Sequence, residues 1–302
     1  MKNPLEQLVL SWREWRRQQT LHGVFPFKDA SMQVHRVILP SRIHTKIATK
    51  KLEIETDITQ INESTWQVRL IKNDLSFFWP SKPDHNLYFS IEQEFSIKNP
   101  HHYTSAPIHL SKNSTIIDVG ACEGLFAFRT LSQGLAKRVI CFEPSEKMAS
   151  LLKHGAEVNG LSSFIEIEQS GVGNKNGKAR MRVGDNPDAG YMEFLPDGAT
   201  HSDAITTTTI DHYCREKEIE LDQNDLIKAD AEGADLDVLI GAEDQIRRNS
   251  PQIAITTYHV DYHAERMIDW LRKINPEYKI RLKGLSFWTT FPRPVLIQAS
   301  TL

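Results

Sequence analysis

The spacing of hydrophobic residues changes near residue 100. In the first part, Leu5, Leu8, Val9, Trp12 and Trp15 recur close to the 3.6-residue helical period. They predict a helix over residues 4–19, with Arg13, Arg16 and Arg17 elsewhere on its surface. Such a stripe packs against the rest of the protein or a second subunit; a membrane-surface or RNA-binding helix is the rival reading. From about 33 to about 92 the spacing is close to two. Ile43, Thr45 and Ile47 alternate, then Leu52, Ile54, Thr56 and Ile58, then Trp66, Val68 and Leu70. Period two over short segments predicts half-buried antiparallel strands. The expectation is a small β-rich unit over 1–98, for acceptor binding or dimerisation, followed by a second unit over 99–302.

From about 115 onward, continuous apolar runs alternate with helical segments. Strands are predicted at 115–119, 138–142, 164–169, 225–230 and 252–258, and in the stretches YKIRLKG and PVLIQAS. Helices are predicted over Leu125–Leu135, Ser145–Asn159, Ala234–Arg248 and Tyr262–Lys273, with Ser145 as an N-cap and Gly160 as a stop. Apolar strands without alternation are strands covered on both faces. The predicted fold class is therefore α/β, with a doubly wound, mostly parallel seven-stranded sheet.

Composition narrows the classes. The formal net charge is −3 over 302 residues, so bulk attraction to nucleic acid or anionic lipid is not indicated. The three cysteines, Cys122, Cys141 and Cys214, form no Cys-x-x-Cys pair. A disulfide framework is not expected, and a reducing, cytoplasmic compartment is. No signal-peptide core and no apolar run of about 18 residues is present, so no membrane span is expected.

In doubly wound sheets, ligands bind beyond the carboxyl ends of the strands where the strand order reverses. The first predicted strand runs into Asp118-Val-Gly120-Ala121-Cys-Glu123-Gly124. Glycines there permit a tight turn and a close approach to a ligand. The pattern is D-x-G-x-x-x-G, not the G-x-G-x-x-G of a dinucleotide site. An acidic residue before the turn suits an ammonium group, as in the methionine part of S-adenosylmethionine. Glu143 ends the next strand, 19 residues after Gly124. A carboxylate at about 20 residues is the spacing of a ribose ligand, and its two oxygens can take both hydroxyls. Asp230 and Glu232 follow the 225–230 strand, and His259 closes the 252–258 strand. They are candidates to orient a cofactor, accept a proton or hold an ion. A helix start with acidic residues, or a structural histidine, would explain them without chemistry.

At these residues the chain resembles the FkbM-type methyltransferase family. The broad match is STIIDVGACEGLFAFRTL with VICFEPSEKMASLLKHGAEVNGL. The more specific one is TTTTIDHYCREKEIELDQNDLIKADAEGADLDVLIGAEDQI, which looks like the family's Lys-x-Asp-x-Glu-Gly hallmark leading to a Gly-Ala-Glu segment. IAITTYH is similar to one branch. The resemblance covers about 100–298, and Cys122 and Glu123 depart from the commoner form. It implies the class I, Rossmann-like methyltransferase fold, S-adenosylmethionine as cofactor, and O-methylation of a hydroxyl on a sugar, glycolipid or natural product. Asp118, Gly120, Ala121, Glu123, Gly124, Glu143, Pro144, Ser145, Gly171, Val172 and Asp230 are the expected cofactor residues.

The expected chemistry is direct displacement, with His259 as preferred base and Asp230 or Glu232 next. No metal ligand is assigned, although Asp230, Glu232 and His259 could instead ligate Mg²⁺. Gly184–Asp203 is expected to be a lid carrying Tyr191, Met192 and Phe194 onto a small-molecule or glycan acceptor. The competing readings are a nicotinamide-dependent oxidoreductase and a non-catalytic cofactor-binding protein on the same fold. A homodimer stays open.

Overall fold

The computed structural model describes residues 3–183, 190–196, 201 and 203–302. Helix α1 spans Pro4–His22, started by an Asn3 side chain that accepts the Leu5 N–H. Its expected apolar stripe is split. Trp15 turns inward and donates its indole N–H to Phe25 O at 2.9 Å, whereas Leu5, Val9 and Trp12 are exposed. Gln18, fully buried, anchors the helix instead through Glu14 and Glu265. Short helices α2 (Phe27–Ala30) and α3 (His35–Ile38) follow.

Residues expected to begin the strands form a helix, α4, over Ser41–Glu55. Ile43 and Ile47 alternate with Thr45, but they are also four apart, as are the buried Ala48 and Leu52. That second spacing is a helical face, and it prevails over the strand reading. Strands β1 (Thr56–Asn62), β2 (Thr65–Leu70) and β3 (Leu75–Trp79) then form an antiparallel meander, and α5 spans His85–Phe95. The N-terminal part is thus mixed rather than mainly β.

The second part opens with β4 (Thr115–Val119), α6 (Leu125–Ser132), β5 (Arg138–Phe142), α7 (Glu146–Val158) and β6 (Ile165–Glu168). Ser145 caps α7 as expected. A side sheet contains β7 (Gly171–Val172), β8 (Gly177–Val183), β9 (Gly190–Phe194) and β10 (Ala204–Thr208). Next come α8 (Ile210–Glu216), β11 (Leu226–Ala229), α9 (Asp235–Ile240), α10 (Glu243–Asn249) and β12 (Gln252–Thr256). The chain ends with α11 (His263–Ile274), β13 (Lys279–Leu285) and β14 (Pro294–Ser300). The single helix expected over Ala234–Arg248 is broken in two at Gly241. There a Cβ would lie 2.1 Å from the Gly173 carbonyl oxygen, so only glycine allows that approach.

The main sheet has seven strands in the order β13-β14-β12-β11-β4-β5-β6. β14 runs antiparallel to both neighbours and the other pairs are parallel. The chain leaves β4 toward β5 and β6, then returns to β11 on its other side. This is the class I methyltransferase arrangement, and its switch point lies between β4 and β11.

Alternation along the central strands divides the core into two layers. Ile117, Val119, Ile140, Ile227 and Ile255 join one cluster, while Ile116, Val139, Leu226 and Ala254 join the other. The second cluster also holds Leu52, Val68, Phe77 and Leu87. The division expected at residue 98 therefore does not separate two cores. Polar ties cross it too: Asp29 pairs with Arg281, and the Ser76 N–H donates to Asn159 Oδ1 at 2.9 Å. Among the described residues, no helix is long and apolar enough to cross a membrane.

Candidate active site

The switch point is built on an ion pair. Asp118 and Lys228 are register partners on β4 and β11, so both point to the same face of the sheet. Their side chains are 5% exposed or less, and Lys228 Nζ sits 2.7 Å from Asp118 Oδ1. Nζ also donates to the Gly120 carbonyl at 3.1 Å. Burial alone would favour neutral lysine, but the charges of Asp118 and Asp230 raise its pKa and keep it an ammonium. Asp118 was expected to face a ligand's ammonium. In this structure its carboxylate lies against Lys228, the same ammonium that donates to the Gly120 carbonyl.

The loop itself is short and constrained. Gly120 and Ala121 both donate to Phe142 O, at 3.0 and 3.2 Å. Gly120 has φ +72°, and a Cβ there would lie 2.1 Å from the Asp230 carbonyl oxygen. This glycine lets two strand-end loops touch. Cys122 is left-handed at φ +48° and exposed. Its N–H donates to Glu143 Oε2 at 3.0 Å, and Ser145 N–H donates to Glu143 Oε1 at 2.8 Å. Glu143 therefore ties the glycine loop to the start of α7. Burial raises its pKa, against the two N–H donors. Each oxygen still has a further lone pair for a hydroxyl.

The other expected cofactor residues surround this point. Ala121 and Gly124 are buried, Glu123 and Pro144 half-buried, and Ser145 exposed. Burial pushes Glu123 up to about 7. Gly171 and Val172 form β7, both buried and paired in parallel with β10.

Across the switch point, Asp230, Glu232 and His259 converge, with one ligand-type atom from each within 4.8 Å of the others. His259 Nε2 is 3.5 Å from Asp230 Oδ1 and 3.4 Å from Glu232 Oε2. On the other side of the ring, Nδ1 is 3.0 Å from Asp235 Oδ2. Asp235 is fully buried and also accepts the N–H groups of Ala231 and Gly233, which fixes the left-handed turn at Glu232. Thr256 Oγ1 lies 2.9 Å from Asp235 and 3.2 Å from Asp230. Tyr103 donates its hydroxyl to Asp230 Oδ2 at 2.9 Å.

Charge around His259 changes its expected role. Burial by itself would lower its pKa, but the bond to Asp235 and the charges of Asp235, Asp230 and Glu232 raise it to about 9. The sequence reading made His259 the preferred base; without a bound ion, its surroundings favour the protonated form.

The cluster opens into a cleft of about 520 Å³. Glu232 and His259 meet residues of the first part there, Gln33, Arg36, Phe89 and Gln93, together with Asn99. An aromatic wall faces them. His101 stacks on Trp288 with centroids 5.6 Å apart, and Tyr258 packs edge-on against both. Burial lowers His101 to about 4, so it stays neutral. Arg36 lies 4.2 Å above the Phe89 ring and pairs with Glu92. The expected lid at Gly184–Asp203 falls largely outside the described residues, as do the side chains of Tyr191 and Met192. Phe194 ends β9 on the side sheet, beneath Lys175.

The sequence reading missed Tyr103, Lys228, Asp235, Thr256 and the His101–Trp288 wall. Lys228 had a signal, as a lysine inside an apolar strand that must find a buried partner. Asp235 had a weaker one, three residues after Glu232 at a helix start. Tyr103 and Trp288 had none, because only the fold brings them to this edge.

Comparison with known proteins gives a family. Residues 118–278, more than half of the chain, match the Methyltransferase FkbM domain. No curated protein matches. Among solved structures, a methyltransferase FkbM from Methylobacillus flagellatus KT is similar at 21% identity and TM-score 0.49. That match covers 71% of this chain and 52% of that one, so it spans about half the length of its relative. An rRNA methylase from Streptococcus thermophilus is similar at 17% identity and TM-score 0.39, over 64% of this chain and 89% of that one. M. capricolum TrmK, solved with S-adenosyl-homocysteine, is similar at 12% identity and TM-score 0.39, over 66% of this chain and 70% of that one.

Proposed function

This chain belongs to the FkbM methyltransferase family, and on that premise we propose that it transfers a methyl group from S-adenosylmethionine to a hydroxyl of a sugar-like acceptor. The observation that carries the reading is the placement of two half-sites on one sheet edge. Glu143 and the glycine loop lie on one side of the switch point; Asp230, Glu232 and His259 lie on the other and open into the cleft.

The loop fits the cofactor proposed for it. Glu143 is held by two backbone N–H groups with its carboxylate pre-oriented, so it can take two vicinal hydroxyls without first being ordered. When bound, S-adenosylmethionine supplies an electrophilic methyl on a sulfonium. The chain's own residues then position the acceptor oxygen in line with it, which can account for about 7–11 kcal/mol of a two-reactant barrier. Without a bound ion the three carboxylates around His259 favour its protonated form, which leaves Asp230 and Glu232 to receive the hydroxyl proton.

The acceptor class follows from the cleft. A flat aromatic wall beside side-chain amides and an arginine suits a ring with apolar faces and hydroxyl edges. We assign the residues before 98 to acceptor binding, because Gln33, Arg36, Phe89 and Gln93 come from them.

Calorimetric titration tests the cofactor. We expect saturable binding of S-adenosylmethionine and none of NADH. Binding of NADH in its place would favour the oxidoreductase reading.

A further inference from the structure

We infer that Asp230, Glu232 and His259 form a binding site for one divalent cation of the Mn²⁺ class, beside the acceptor hydroxyl. The inference deepens the methyltransferase reading and rests on it for its role, though not for its geometry. The three residues come from two loops that meet only at the sheet edge, and they present one imidazole nitrogen and two carboxylate oxygens to one point. Two ligand atoms each about 2.1 Å from a common ion lie roughly 3.0–3.4 Å apart at tetrahedral to octahedral angles. The separations from His259 Nε2 are 3.4 and 3.5 Å.

A second observation concerns the imidazole itself. The His259 side chain is 2% exposed, and its Nε2 atom is buried without a hydrogen-bond partner while aimed at the cluster. Buried polar atoms are rarely left so, and an ion is one of the ordinary explanations. The far side of the ring is set for the same purpose. Nδ1 is held by the buried Asp235, so Nε2 is fixed as the outward atom, as in carboxylate–histidine–metal arrangements. Tyr103 holds the second oxygen of Asp230, and Oδ1, which also accepts from Thr256 Oγ1, is the oxygen that faces His259 Nε2.

The ligand set selects the ion class. Two hard oxygens with one imidazole suit Mn²⁺ better than a thiophilic ion, and the cysteines lie outside the cluster. Three protein ligands leave positions open toward the cleft. A hydroxyl oxygen bound there would be fixed in place, with its pKa lowered by the adjacent charge.

The test is Mn²⁺ binding to the full chain after EDTA treatment and desalting, followed by the electron paramagnetic resonance of free Mn²⁺. Wild type should take up one equivalent. Glu232→Gln, a change at a half-exposed side chain that should not disturb folding, should weaken uptake at least tenfold. His259→Ala should abolish it. Uptake by wild type no stronger than by Glu232→Gln, or no uptake at all, would overturn the site. S-adenosylmethionine titrated into the same samples separates the two claims. Retained cofactor binding without Mn²⁺ uptake refutes only the cation, and one equivalent of Mn²⁺ without cofactor binding refutes the methyltransferase reading and leaves the cation standing.

Discussion

Asp235 Oδ2 lies 3.0 Å from Nδ1 of His259, and the aspartate is wholly buried at the start of α9. That contact sets which ring nitrogen faces the cleft. Burial alone would raise the pKa of Asp235, but its bonds from His259 and from backbone N–H groups bring it down to about 2, so it stays ionised. Asp235→Asn should keep the turn, since an amide oxygen still accepts one N–H, but lose the charge that orients the ring. We expect methyl transfer to fall by about 10–100-fold, the usual cost of removing such a partner, with cofactor affinity unchanged. A matching loss of cofactor affinity would mean that Asp235 only supports the loop.

Glu143→Ala removes the carboxylate assigned to the ribose. Two hydrogen bonds to a charged group are each worth roughly 1.5–3 kcal/mol, so S-adenosylmethionine affinity should fall at least tenfold. The structure adds a second effect, because the Cys122 and Ser145 N–H groups lose their acceptor as well. Calorimetry on the folded variant checks this, and unchanged affinity would remove Glu143 from the cofactor site.

Gly120→Ala tests the contact between the two half-sites. Its Cβ would stand 2.1 Å from the Asp230 carbonyl oxygen, in a backbone region that alanine avoids. Cofactor affinity and thermal stability should both fall, because the β4 and β11 loops must move apart. Normal binding with an unchanged melting temperature would show that the loops can separate freely.

Much of this site was legible in the sequence. Strand order apart, the central strands, the glycine loop, Glu143 and the Asp230–Glu232–His259 set all lie where apolar runs end, and a parallel sheet brings such ends to one edge. What stayed hidden depended on contacts far apart in the chain. The alternation of Ile43, Thr45 and Ile47 satisfied two periods, and only packing of Ala48 and Leu52 chose the helix. The role of His259 turned on three carboxylates whose distances no spacing gives.

The first 98 residues carry an expectation that the structure changes. If they formed a separate unit over 1–98, their removal would leave a cofactor-binding remainder. The shared core makes that outcome unlike what we now expect: deletion would uncover the layer that packs Leu52, Phe77 and Leu87 on the main sheet. The truncated chain should not fold, as read by circular dichroism. The informative variant is Arg36→Ala, which should raise the acceptor KM while leaving cofactor affinity as it is. A folded truncated chain that binds S-adenosylmethionine would contradict the shared core.

The central claim is that the two half-sites act together on an acceptor hydroxyl. Labelled methyl transfer from S-adenosylmethionine, assayed across sugars, glycolipids and polyhydroxylated natural products, addresses it most directly. Wild type should label an acceptor oxygen, and Glu232→Gln should lose at least tenfold in rate while binding the cofactor as tightly. Label on nitrogen or carbon, or an undiminished rate in Glu232→Gln, would contradict the account.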